Sequence, residues 1–229
     1  AAAAMDTMPA TMRNGAGLIR ALHDPACYDH PAGPVRVIET HISWILLTGE
    51  FAYKIKKPLD LGFLDFSSLA KRLHACEEEV RLNRRLAPAI YLGVVPITGS
   101  AAAPRVNGAG EPFEYAVKMR QFAADATLDR LEAQGGMTAA MVETIATTIA
   151  RFHLHDCARA PDDSRWGTPE KVWQPMAENF EHVAPLLADP ARRAQLDAVH
   201  AWSAAEHARL SPLLAARKRD GFVRECHAD

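Results

Sequence analysis

Three short runs of β-forming residues between positions 35 and 57 place the strongest constraint on the fold. The runs are VRVIET, SWILLT and FAYKIKK, and only brief polar joins, such as Gly49-Glu50, separate them. Short strands with tight connections are typical of antiparallel pairing between sequence neighbours. We therefore predict a three-stranded antiparallel meander that ends at Pro58, since proline cannot continue a strand ladder.

A helix and two further strands are predicted to complete this β-rich part. Ser67 or Ser68 can cap a helix that runs to about Arg85. The segments YLGVVPIT and FEYAVKMRQF have strand character, and a hairpin-like loop joins them. The sequence thus predicts five strands and one helix in residues 35–122, after a partly helical N-terminal segment, residues 1–34.

From residue 123 onward the composition becomes helical. Ala-rich stretches interrupted by prolines fill most of residues 123–229. Met141, Ile145 and Ile149 recur at a helical spacing and indicate one apolar helix face. A β-rich part followed by a helical part predicts the α+β class.

Composition and charge limit the partners. The 229 residues are 48% hydrophobic, and 26 Lys plus Arg stand against 28 Asp plus Glu. This balance gives no general reason to expect binding to nucleic acid or to a membrane. Four cysteines occur singly, without the spacing of a disulfide framework or a zinc site, so we expect a cytoplasmic protein.

The third predicted strand has one cationic face. Side chains alternate along a strand, so Phe51, Tyr53 and Ile55 point one way, while Lys54 and Lys56 point the other. A solvated outer surface would explain these lysines, because lysine side chains prefer water. For Lys56 and the adjacent Lys57 we expect such solvated rim charges.

The predicted helix offers one of these lysines a partner. With Cys76 at zero and about 100° per residue, Glu79 falls near −60°, inside the arc of apolar residues, whereas Glu78 faces solvent. A carboxylate on the buried side requires a cationic or hydrogen-bonding partner. We therefore predict an ion pair between Glu79 and a lysine of the FAYKIKK strand.

These motifs resemble a known family. FAYK fits the V-A-I-K pattern of the third strand of kinases, EVRLNRRL fits the helix that carries the glutamate partner, and the final HAD fits the start of the H-R-D or H-G-D loop. Together they resemble the aminoglycoside phosphotransferase-like small-molecule kinases, in the uncharacterised group that is often fused to a C-terminal P-loop ATPase domain. The resemblance implies a protein-kinase-like fold with an N-lobe, residues 35–122, and a helical C-lobe, residues 123–229, that is incomplete at its end.

The resemblance also implies roles in nucleotide binding. Lys54 would contact the α and β phosphates of ATP, Glu79 would hold Lys54 in place, and Ala52 would leave room for adenine. The backbone of residues 119–122, which includes Met119 and Gln121, would hydrogen-bond the base. Lys56 faces the same way as Lys54 and is the alternative for the ATP lysine.

Two further segments complete this implied site, namely the loop that would cover the phosphates and the final HAD motif. ETHIS, between the first two strands, contains no glycine, so His41, Ser43 and nearby amides would meet the phosphates. Asp229 would be the catalytic base, with His227 opening its motif. The Mg²⁺ ligands of the family are expected beyond residue 229, and none is predicted within the chain.

The resemblance implies an ATP-dependent phosphotransferase that moves the γ-phosphate to a hydroxyl of a small molecule, inactive without the residues that follow. The alternative is a nucleotide-binding pseudokinase that serves as a regulatory module for an attached P-loop ATPase domain. The expected partners are the hydroxyl acceptor and that ATPase domain.

Overall fold

The structure is a computed structural model that describes residues 10–226, with side chains from residue 15 onward. The described chain divides into two compact units, residues 10–144 and 145–226. None of the helices in this range combines the length and the apolar character needed to cross a membrane. The described residues form both helices and an antiparallel sheet, so the fold is α+β, as predicted. Each unit is considered by itself.

The first unit contains one antiparallel sheet of six strands. Along the sheet the order is β1-β2-β3-β6-β4-β5. The strands are β1 Arg36–Glu39, β2 Ser43–Leu47, β3 Phe51–Lys56, β4 Tyr91–Ser100, β5 Ala103–Val106 and β6 Glu114–Arg120. Strands β1 to β3 form the predicted meander, with Lys54 opposite Ile45 and Ser43 opposite Lys56.

The prediction of five strands was wrong, because β5 lies in the segment that the sequence indicated as a loop. This strand holds only four residues, APRV, of which valine alone is a strong strand former. Its proline is tolerated because β5 pairs only with β4, at the edge of the sheet. Gly99, with φ near +83°, allows the tight return of the chain from β4 to β5.

Helices cover both faces of the sheet. The first unit contains α1 Ala10–Ala21, α2 Leu69–Asn83, α3 Leu128–Ala133 and residues 139–144 of α4 Ala139–Arg151, and α1 and α2 are the helices that pack on the sheet. The Ser68 hydroxyl caps α2 by accepting a hydrogen bond from the Lys71 amide at 3.3 Å. The prediction of a serine cap is thereby confirmed, and Ser68 rather than Ser67 provides it.

Two apolar clusters attach these helices to the sheet. On one face, Leu18 of α1 and Leu22, which directly follows the helix, pack in a core cluster with Leu46, Tyr53 and Ile55. On the other face, Cys76 and Val80 of α2 pack against Val117, with Tyr91, Val94 and Met119 around them. The strand β3 therefore presents its aromatic and aliphatic side chains to the α1 face, and the lysines are left facing α2.

The second unit is built on a helical pair. Its main helices are α5 Pro169–Val183 and α6 Pro190–Arg219. Trp173 of α5 packs between His200 and His207 of α6, with ring centroids 6.0 and 5.2 Å away. The second half of α4 also belongs to this unit, and a π-helical turn, Phe152–Asp156, follows it directly. An isolated antiparallel β-bridge pairs the backbones of Arg159 and Arg224.

We predict that Gly99→Ala destabilises the first unit, whereas Gly17→Ala in α1 does not. An added Cβ at Gly99 would lie 2.5 Å from the backbone oxygen of Ala103. The positive φ adds strain, for a total cost of about 1–3 kcal/mol. At Gly17 nothing lies within 4 Å, so alanine should stabilise by about 0.5–1 kcal/mol through helix propensity. Urea unfolding monitored by circular dichroism measures both, and equal effects of the two substitutions would contradict the described β4–β5 turn.

Candidate functional site

The predicted ion pair between β3 and α2 is present. Lys54 Nζ donates a hydrogen bond to Glu79 Oε1 at 2.8 Å. Lys54 lies on the face of β3 that points to α2, and Glu79 lies on the buried side of that helix, with 8% of its surface exposed. The periodicity of α2 and the alternation of β3 predicted that Glu79 pairs with a lysine of this strand, and the family resemblance pointed to Lys54.

A second lysine binds the same carboxylate. Lys56 Nζ donates to Glu79 Oε2 at 2.7 Å and lies 4.9 Å from the centre of the Phe66 ring. Its side chain is only 6% exposed, whereas that of Lys54 is 25% exposed. The two lysines thus occupy one oxygen each, and Lys54 is the one that remains accessible.

The expectation that Lys56 and Lys57 are solvated rim charges was wrong. Both residues are buried. Lys56 is compensated by Glu79, and Lys57 Nζ pairs with Glu39 at 2.6 Å while lying 5.3 Å from the Trp44 ring centre. The aliphatic stems of the two lysines can be buried because each ammonium group reaches a carboxylate and an aromatic face.

Glu79 is ionised within this cluster. Burial by itself would raise the pKa of Glu79, but the charges of Lys56 and Lys54 and their hydrogen bonds outweigh it and hold the pKa below its ordinary value of 4.5. Two ammonium groups therefore share one carboxylate, which leaves a net charge of +1 in the three-residue cluster.

Neighbouring acidic groups do not neutralise this charge. Burial raises the pKa of the Cys76 thiol to about 12. Burial, with a contribution from Glu79, also raises the pKa of the Tyr91 hydroxyl. Both groups are therefore uncharged at neutral pH, and the cluster formed by Lys54, Lys56 and Glu79, here called the lysine cluster, retains its positive charge.

Ser43 adds an unused hydroxyl beside the lysine cluster. Ser43 is opposite Lys56 in the β2–β3 pairing, so the two side chains share one face of the sheet. Ser43 is fully buried, and its Oγ has no hydrogen-bond partner among the described residues. Its amide is already used, because it donates to Thr40 Oγ1 at 3.0 Å. The buried hydroxyl, but not the amide, is thus left without a partner among the described residues, and His41 in the same turn is exposed.

The residues predicted to surround a nucleotide base lie in different surroundings. Ala52 is buried on the same face as Lys54 and is opposite Met119 in the β3–β6 pairing. Met119 packs against the apolar cluster under α2. Gln121 instead joins the β2–β3 turn, where its Oε1 accepts from the Gly49 amide and its own amide donates to the Glu50 oxygen, both at 3.0 Å. The structure therefore places Ala52 and Met119 near the lysine cluster and shows the Gln121 amide already engaged.

The predicted catalytic residues His227 and Asp229 lie outside the described residues. Among the residues that are described, no group of three or more His, Cys, Asp or Glu side chains could hold a metal ion. The described part of the predicted site is therefore the lysine cluster and the residues around it.

A second buried ion pair fixes the other end of α2, and the sequence analysis missed it. Arg72 Nε donates to both carboxylate oxygens of Glu114, at 2.9 and 3.0 Å, and its Nη1 donates to the Phe66 oxygen at 3.0 Å. The helical wheel that located Glu79 places Arg72 near −40°, on the same side. That angle was the available signal that Arg72 lies on the buried side. In the structure, Arg72 and Glu79, two turns apart, anchor α2 to β6 and β3.

Comparisons with known proteins add relatives but no function. The chain is similar to an uncharacterised protein of Mycobacterium bovis and to uncharacterised proteins of two strains of Mycobacterium tuberculosis, each 29% identical over 214 residues. The aligned part is 90% of this chain, and the chain spans about 40% of the length of these curated relatives. No family model and no solved structure matches the chain.

We predict that Arg72→Met lowers the free energy of unfolding of the first unit by about 3–5 kcal/mol, because it leaves the buried Glu114 carboxylate without its charge partner. The matched control is Arg81→Met on the same helix. Arg81 pairs with Glu78 at 2.7 Å on the exposed side of α2, so its loss should cost less than about 1 kcal/mol. Urea titration of the three proteins measures the difference, and similar losses for both variants would contradict the buried anchor.

Glu79 should also make the first unit sensitive to acid. Because the pKa of Glu79 is lower in the folded chain than in the unfolded chain, its stabilising contribution is complete above about pH 4.5 and is lost as the pH falls through the folded value. Glu79→Gln should be less stable at neutral pH but should lose less stability between about pH 5 and pH 3. Urea midpoints over this range test the prediction, with Glu78→Gln as the exposed control. If the urea midpoint of Glu79→Gln fell with decreasing pH as steeply as that of the parent, the prediction would be refuted.

Proposed function

We propose that this chain carries the phosphate-binding part of an ATP-dependent phosphotransferase that acts on a hydroxyl of a small molecule. The observation that supports this most strongly is the uncompensated positive charge of the lysine cluster, of which Lys54 is partly accessible. A cationic group fixed by a buried carboxylate, beside an unused hydroxyl, suits an anion with several oxygens.

In this proposal Lys54 contacts the phosphates of the nucleotide. Before a ligand binds, Glu79 sets the direction of the Lys54 side chain, because the carboxylate is held by α2, which is anchored at two points. The Ser43 hydroxyl would donate to a phosphate oxygen, and exposed His41 would approach the phosphates from the β1–β2 turn. Phosphoryl transfer depends on such positioning and charge compensation more than on covalent chemistry by the protein.

The adenine base would lie against the small side chain of Ala52 and against Met119. The two residues face each other across β3 and β6 on the α2 side of the sheet. The Gln121 amide donates within the chain, so a base would need other donors from the segment around Phe122. A two-lobe kinase-like arrangement, with residues 35–122 as the N-lobe and residues 123–229 as the start of the C-lobe, belongs to this proposal.

The acceptor oxygen would form a bond to the γ-phosphorus and lose its proton to Asp229, in the motif that His227 opens, while the bond between the γ-phosphorus and the bridging oxygen breaks to release ADP. Magnesium would supply charge compensation on the phosphates, but the described residues contain no ligand group for it. We assign those ligands, and an attached P-loop ATPase domain, to the additional length that the relatives have. We place the protein in the cytoplasm, where its single, mostly buried cysteines stay reduced.

We predict that Lys54→Met in the full-length protein lowers phosphoryl transfer from ATP to its acceptor by at least about 100-fold, with little effect on folding. The matched control is Lys118→Met. Lys118 is on the neighbouring strand β6 and faces the opposite side of the sheet, where it lies 4.2 Å from the Phe51 ring centre. ATP consumption is measured across a panel of sugars, amino alcohols and aminoglycosides.

Equal turnover by the Lys54 variant and the parent would contradict the proposal. Binding of ATP at Lys54 without transfer to any acceptor would favour a nucleotide-binding pseudokinase that regulates an attached ATPase domain.

A further inference from the structure

We propose that Lys56 is a positioning residue that keeps the Glu79 carboxylate paired when Lys54 turns from Glu79 to a bound polyphosphate. This inference rests on the proposed function, because it requires an anion at Lys54. Lys56 would act through Glu79 and would not contact the ligand itself.

The two lysines are not equivalent. The Lys54 side chain is 25% exposed, whereas that of Lys56 is 6% exposed. Lys56 Nζ also lies 4.9 Å from the Phe66 ring centre. Phe66 is itself held in place, because its backbone oxygen accepts a hydrogen bond from Arg72. Lys54 can therefore reach a ligand in solvent, while Lys56 is held inside the unit by contacts on two sides.

Glu79 has one oxygen for each lysine. Oε1 accepts from Lys54 and Oε2 accepts from Lys56. If Lys54 were the sole partner, its movement to a ligand would leave a buried carboxylate unpaired, which is strongly unfavourable. With Lys56 on Oε2, the carboxylate remains compensated while Lys54 changes partner. Lys56 thus lowers the cost of releasing Lys54.

The charge of the lysine cluster supports the same division of roles. Two lysines and one carboxylate leave +1 for the ligand, and removal of Lys56 would make the remaining Lys54–Glu79 pair neutral. Lys54 would then be retained by Glu79, because no other cation of the described residues forms a salt bridge with this carboxylate. Loss of Lys56 should therefore weaken anion binding even though Lys56 does not touch the anion.

The test measures the affinity of the 229-residue chain for ATP with magnesium by isothermal titration calorimetry. We expect Lys56→Met to bind about tenfold more weakly than the parent, because Glu79 retains Lys54. In the double variant Lys56→Met/Glu79→Gln the charge that retains Lys54 is absent, so the affinity should return to within about threefold of the Glu79→Gln variant.

The double variant separates positioning from direct contact. If Lys56 touched the anion, Lys56→Met would weaken binding by the same factor in the Glu79→Gln background, and that result would overturn the inference. Unchanged affinity of Lys56→Met in the parent background would also overturn it. If Lys56→Met does not fold, as checked by circular dichroism, a double variant that binds ATP much more weakly than Glu79→Gln would still overturn the inference.

A further variant keeps this inference distinct from the proposed function. Lys54→Met should abolish measurable binding of ATP. If Lys54→Met binds as the parent does, or if the parent does not bind ATP, the proposed function fails and the inference fails with it. If Lys54→Met loses binding while Lys56→Met keeps it, the proposed function stands and the role of Lys56 alone is refuted.

Discussion

The buried carboxylate of Glu79 is the constraint on which the site depends. It lies on the side of α2 that packs against the sheet, so it must be paired, and β3 supplies two lysines to pair with it. The contact fixes which residue of β3 faces α2 and which turn of α2 faces β3. It also leaves one positive charge that apolar packing could not provide.

The second anchor of α2 gives this charge a defined position. Arg72 and Glu114 tie the first half of the helix to the start of β6, and Cys76 and Val80 pack against Val117 of the same strand. Buried ion pairs contribute little net stability compared with apolar residues of the same size, but they select one arrangement of the elements that carry them. The lysine cluster is therefore held in place before any ligand arrives.

Local patterns in the sequence predicted much of the first unit. Alternation in FAYKIKK and the angle of Glu79 on the helical wheel predicted an ion pair between Glu79 and a lysine of β3. The short joins between the runs predicted the meander, and a cap by Ser67 or Ser68 was predicted for α2. The edge strand β5 was missed because a four-residue segment containing Pro104 carries almost no strand signal. The Arg72–Glu114 pair was missed because its acidic partner begins a strand 42 residues away, and wheel angles identify a buried charge without naming its partner.

The burial of Lys56 and Lys57 could not be predicted from their residue type. Each is buried because tertiary packing brings a carboxylate and an aromatic ring to its ammonium group, and these partners come from other segments. The general preference of lysine for water gave the wrong expectation at both positions. The roles expected of His227 and Asp229 stay predictions, since both residues lie outside the described part of the chain.

The most direct measurement is a crystal structure of the chain with a non-hydrolysable ATP analogue. We expect a phosphate oxygen within hydrogen-bond distance of Lys54 Nζ, with Glu79 still paired to Lys56. An analogue bound at another surface, or Lys54 and Glu79 on separate surfaces, would contradict the account.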